Sequence, residues 1–86
     1  MIKAWTDEAW EEYVEWQAED LKIVKRINAL LKDIERNGCL KGIGKPEALK
    51  QNFHGWYSRR IDKGNRLIYR IENGVLEISG CKYHYD

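Results

Sequence analysis

No stretch of this chain approaches the ~20 consecutive apolar residues that a membrane-spanning helix requires. Nor does a basic, then apolar, leader pattern open it. Both absences lead us to expect a cytoplasmic protein with no membrane partner. Only two cysteines are present, Cys39 and Cys81, and neither belongs to a CxxC pair or a Cys/His cluster. A zinc site is therefore not expected, and both are read as free thiols. Internal repeats and low-complexity tracts are missing as well. Glycine clusters only around Gly38, Gly42 and Gly44, with no Gly-Lys followed by Ser or Thr, so a phosphate-cradling nucleotide loop is unsupported.

Net charge is nearly absent too, at +1 over 86 residues, but the balance hides an asymmetry. Residues 1–20 hold one lysine and seven acids, a net of −6, whereas residues 21–86 net +7. The segment 41–70 alone carries eight Lys/Arg against Glu47 and Asp62. Opposed acidic and basic faces can serve solubility alone. Segregated within a single domain, they also suggest an anionic partner for the basic part. A chain this short makes one domain, 1–86, that buries only about 60–65% of its unfolded surface.

Periodicity supplies the elements. Ile2–Trp5 reads as a first strand, and Thr6 or Asp7 can cap a helix over residues 7–18. Trp10, Tyr13, Val14 and Gln17 have helical spacing and are expected to face the core, leaving Trp16 free for a partner. Asp20 can cap a second helix with the apolar stripe Leu21, Val24, Ile27, Leu31 and Ile34, stopped at Asn37-Gly38. Pro46 suits the first position of a short helix, Pro46–Lys50. Two strands, 56–61 and 65–71, flank the turn Asp62-Lys63-Gly64 and hold four arginines. After the turn at Asn73-Gly74 a last strand is expected from Val75 to Tyr85. The order is α+β: a mostly antiparallel sheet with two N-terminal helices packed on one face.

Cationic strands alone suggest binding. Glu47 and His84 beside them suggest catalysis. Metal-independent RNA cleavage needs a base for the ribose 2′-OH, an acid for the leaving 5′-oxygen, and cations around the charged phosphorane. Glu or His can act as base, His as acid, and Arg matches phosphate with its planar fork of donors. Arg59, Arg60 and Arg66 are candidate phosphate contacts and Tyr85 a candidate for stacking on a base. Each residue also has a plainer reading: a solvated ion pair for Glu47, an exposed terminal imidazole for His84, solvent-facing strand charges for the arginines.

Several motifs then occur together. They are Trp10, Tyr13 and Trp16-Gln17; Lys25-Arg26-Ile27-Asn28; Gly44-Lys45-Pro46-Glu47-Ala48-Leu49-Lys50; Trp56-Tyr57-Ser58-Arg59-Arg60-Ile61; Arg66-Leu67-Ile68-Tyr69; and Tyr83-His84-Tyr85. This set, end to end, resembles the YoeB toxins of the RelE/ParE group of bacterial toxin–antitoxin systems. The resemblance implies a microbial-RNase-like fold and a cofactor-free endoribonuclease that cuts mRNA in the A site of the 70S ribosome. It casts Glu47 as general base, His84 as general acid and Arg66 as transition-state stabiliser. Lys50, Arg59 and Arg60 would hold the scissile phosphate and its neighbours, and Tyr85 would position the substrate. It further implies a YefM-like antitoxin as partner, a possible homodimer, and operator DNA contacted only through the antitoxin complex.

Three positions depart from the family pattern. Asn65 stands where a histidine often precedes the Arg-Leu pair, and His54 replaces a small polar residue. Asp86 follows Tyr85, where its carboxylate is expected to raise the His84 pKa. Two other classes of function compete with the enzyme. One is a non-catalytic inhibitor like the ParE branch, whose members lack the Glu/Arg/His set; the other is a plain RNA- or ribosome-binding module.

Overall fold

Thr6 and Asp20 decide where the two helices begin. The computed structural model describes residues 1–83, and after strand β1 (Ile2–Trp5) the Thr6 hydroxyl accepts a hydrogen bond from the Ala9 N–H at 3.1 Å. That satisfies one of the unpaired donors at the start of α1 (Asp7–Glu19), where Asp7 and Glu8 also suit the positive end of the helix dipole. Asp20 ends α1 and begins α2 (Leu21–Asn37), its carboxylate accepting from the Lys22 N–H at 3.0 Å. Gly38, at φ 87°, stops α2 in a conformation that costs glycine little.

The remaining elements are β2 (Glu47–Ala48), a 3₁₀ turn (Gln51–Phe53), β3 (Tyr57–Arg60), β4 (Arg66–Glu72) and β5 (Val75–Gly80). The strands form one sheet in the order β1-β5-β4-β3-β2. Neighbours are antiparallel except β1, which lies parallel to β5. Leu67, Tyr69, Leu76 and Ile78 cover one face of the sheet and pack on Ile23, Val24, Ile27, Leu30, Leu31 and Ile34 of α2. The fold is thus α+β with both helices on one face, as the sequence suggests. No helix among the described residues is long and apolar enough to cross a membrane.

The face that α1 presents to the core differs from the expected one. Trp10 and Val14 are about half exposed, at 51% and 47%, whereas Ala9 and Trp16 are buried. What selects Trp16 is its polar tip: the indole N–H donates to the Cys81 carbonyl at 2.9 Å, a partner 65 residues away. Trp10 instead covers Trp5 edge-on, with ring centroids 5.9 Å apart. Trp16 is therefore core rather than partner surface. Replacing it with alanine should cost about 3–5 kcal/mol in urea unfolding. Trp10→Ala should cost less than half as much, and equal losses would contradict this assignment. Leu21, placed in the α2 stripe by spacing, is 62% exposed at the first turn.

Two further elements differ. Residues 46–50 form no helix, because the sheet recruits Glu47 and Ala48 as an edge strand opposite Ser58 and Tyr57. The last strand ends at Gly80 rather than Tyr85; Cys81 turns off it toward α1, and Tyr83 adopts φ 68°.

Candidate active site

Strand pairing carries Glu47 to Arg66. Glu47 stands opposite Ser58, and Arg60 opposite Arg66. Alternation then places Glu47, Ser58, Arg60 and Arg66 on the sheet face that the helices leave free. The Arg66 Nη1 donates to Glu47 Oε1 at 3.0 Å and to the Ser58 hydroxyl at 3.4 Å. Ser58 in turn donates to the same Glu47 oxygen at 3.5 Å. The Arg66 side chain is 19% exposed and that of Glu47 58%. With its carboxylate this exposed, the ion pair adds little to stability. The carboxylate is accessible to a ligand, which would have to come between it and the more buried guanidinium.

The chain leading to His84 is fastened beside this pair. The Cys81 N–H donates to Glu12 at 2.8 Å, and Lys82 bridges Glu15 and Glu19 while lying 4.8 Å from the Trp16 ring centroid. Asn65 Oδ1 accepts from the Tyr83 N–H at 2.7 Å, and the Arg66 N–H donates to the Tyr83 carbonyl at 3.2 Å. Tyr83 is therefore bonded on both sides to the residues that begin β4. His84, Tyr85 and Asp86, with the roles expected of them, lie outside the described residues.

Arg59 is not where a phosphate contact belongs. Parity puts it opposite Leu67, on the helix-covered face, and it is fully buried. Its five N–H donors are all engaged inside the protein. The Nε donates to Tyr69 Oη at 2.9 Å, and one terminal nitrogen to Asp33 and the Ile43 carbonyl. The other reaches the carbonyls of Gly38 and Lys41 at 2.7 and 2.6 Å. Gly42 permits this cage, since a Cβ there would sit 1.8 Å from Asp33 Oδ2. The guanidinium ties loop 38–44 to the sheet; it is structural. Its hydrogen bond holds the Asp33 carboxyl below the usual range, and burial pushes the Tyr69 hydroxyl up to about 12.

The other candidates are exposed. Arg60 is solvent-facing, and Lys50 lies between β2 and the 3₁₀ turn. His54, also exposed, follows that turn. Ser58 and Asn65 are contributors that spacing did not single out: one bridges the Glu–Arg pair, the other holds the backbone before His84. Only the strand register could have revealed Ser58. Both cysteines are free. Burial raises both thiols, that of Cys81 to about 12, which makes it a poor nucleophile at neutral pH.

Two helices on one face of a five-stranded sheet, with a charged pair open on the other, define a microbial-RNase-like α+β domain. A family model described as the YoeB-like toxin of bacterial type II toxin–antitoxin systems matches residues 5–85. The Escherichia coli K12 toxin YoeB is 47% identical over 81 residues, covering 94% of this chain and 95% of its own. A solved YoeB dimer from Staphylococcus aureus superposes with a TM-score of 0.94 at 49% identity, covering 99% of this chain and 98% of that one. A heterotetrameric YoeB–YefM toxin–antitoxin complex from the same species gives 0.93 at 49% identity, with the same coverage. The chain belongs to the YoeB toxin family.

Proposed function

We propose that this toxin is a metal-independent endoribonuclease that cuts mRNA in the ribosomal A site and so stops translation. The observation that carries the reading is the open Glu47–Arg66 pair, bridged by Ser58, with Tyr83 fastened to the start of the same strand. A phosphodiester entering between carboxylate and guanidinium would break the ion pair and take over its cation. Glu47 then removes the 2′-OH proton, and the 2′-oxygen attacks phosphorus. Arg66 stabilises the phosphorane, and His84, one residue past Tyr83, protonates the leaving 5′-oxygen. The products are a 2′,3′-cyclic phosphate and a 5′-hydroxyl end, so the chemistry requires RNA.

Lys50 and Arg60 hold the flanking phosphates, and Tyr85 positions the substrate. Acid and base reach a productive geometry only when ribosomal RNA sets the substrate between them, so naked RNA is a poor substrate. By likeness to the solved relatives, a YefM-like antitoxin binds the chain, and two copies can pair. Operator DNA is met only through the antitoxin complex.

Mapping mRNA 5′ ends on translating ribosomes tests the reading. The unmutated protein should create new ends within A-site codons, and single replacement of Glu47, Arg66 or His84 should abolish them. Growth arrest by the unmutated protein with no new ends would overturn catalysis in favour of a binding inhibitor.

A further inference from the structure

A second basic feature lies at the turn of the hairpin, beside the Glu47–Arg66 site. Arg26, Gly44, Lys45, Arg60, Ile61, Asp62 and Lys63 line an open cleft of about 340 Å³. Four of these residues are cations and one is a carboxylate. That carboxylate is already committed: Asp62 accepts from the Gly64 and Asn65 N–H groups at 2.9 and 2.8 Å and from the Asn65 side chain. Among the described residues none of the four cations is ion-paired, whereas Arg59, Arg66, Arg70 and Lys82 all are.

The cleft is held in shape by backbone contacts. Arg26 reaches from α2 to donate to the Arg60 carbonyl at 3.3 Å, and the Arg60 N–H donates to the Gly44 carbonyl at 2.6 Å. Four cations against the single Asp62 carboxylate leave the cleft net positive, so the arrangement favours an anion. Its position narrows the choice of anion. Arg60 is the register partner of Arg66, so the cleft begins one cross-strand pair from the Glu47–Arg66 site. A single phosphate would not span both places, whereas a polyanion with regularly spaced phosphates would.

We infer that this cleft is a second RNA-backbone site, binding the phosphodiesters of a strand through Arg26, Lys45, Arg60 and Lys63 without cutting them. It deepens the RNA-cleaving reading and rests on it. The strand is either the part of the message beside the cut or ribosomal RNA, and both offer the same phosphodiester chemistry.

Binding of the full chain and of a Lys45→Gln/Lys63→Gln variant should be measured from low to moderate salt. One probe is a single-stranded RNA oligonucleotide carrying 2′-O-methyl groups throughout, which removes the nucleophile; the other is purified 70S ribosomes. Each single-strand phosphate contact adds about 0.7 to the slope of log affinity on log salt. The oligonucleotide slope should therefore fall by about 1.4 in the double variant if the message is the ligand. A slope reduced only with ribosomes also supports the cleft and assigns its strand to ribosomal RNA.

A Lys22→Gln/Lys32→Gln control makes the same change of net charge on exposed α2 positions outside the cleft. An equal effect from the control, an unchanged slope with both probes, or no binding to either by the unmutated protein would overturn the inference. Cleavage on translating ribosomes, measured alongside, separates the two readings. If the unmutated protein cuts and the slopes do not change, the cleft alone fails; if it does not cut, the enzymatic reading fails.

Discussion

An Arg59→Met chain is expected to lose about 3–5 kcal/mol of folding stability, the usual consequence of removing one partner from a buried ion pair. Small domains have only about 5–15 kcal/mol to lose. The methionine would leave Asp33, the Tyr69 hydroxyl and three backbone carbonyls without their shared donor. Arg59→Lys should recover little, because an ammonium has three donors on a flexible stem where the guanidinium presents five in a plane. Urea unfolding reads the effect directly. A phosphate contact would behave in the opposite way, losing activity while the unfolding midpoint stayed in place.

The same cage carries an acid dependence. Arg59 lowers the Asp33 pKa in the folded chain, so the stability from this pair is fully present above the ordinary aspartate value of about 3.9. It is lost as pH falls through the lowered folded value. Asp33→Asn should therefore flatten the acid side of the stability profile.

Glu47→Gln is expected to slow cleavage on programmed ribosomes by about 10²–10⁴-fold, the range for loss of a general base. Its stability should change by less than about 1 kcal/mol, because the Glu47 side of the ion pair is more than half exposed to water. Measured together, rate and unfolding midpoint separate this residue from Arg59. If Glu47 only neutralised Arg66, the glutamine variant would keep most of its rate. Combining Glu47→Gln with Arg66→Gln should cost less than the product of the single losses, as for residues that act as one unit.

What the sequence could convey followed the range of the interaction that decides each element. Both helices were legible because their caps, Thr6 and Asp20, act within three residues of themselves. The buried face of α1 was not, since Trp10 and Trp16 both fit a helical stripe. The choice fell to a carbonyl at Cys81. Pro46 suits a helix start locally, yet pairing with β3 made Glu47–Ala48 a strand. Arg59 and Arg60 are adjacent in a strand, so one of them had to face the helices. That the core would accept a guanidinium depended on Asp33, on a helix 26 residues earlier. The hairpin and its outward arginine, Arg66, were readable from alternation. Its distance from Glu47 was not, because register is a property of the assembled sheet.

Ile2 pairs with Val75, and the Thr6 N–H donates to the Ile78 carbonyl at 3.0 Å. The first strand to be synthesised thus has no strand partner until β5 has been made. Contacts this distant in sequence delay completion of a fold. A nascent or prematurely ended chain lacks β5, the strand that joins β1 to β4. A copy that stops short of β5 therefore leaves β1 without a strand to pair with.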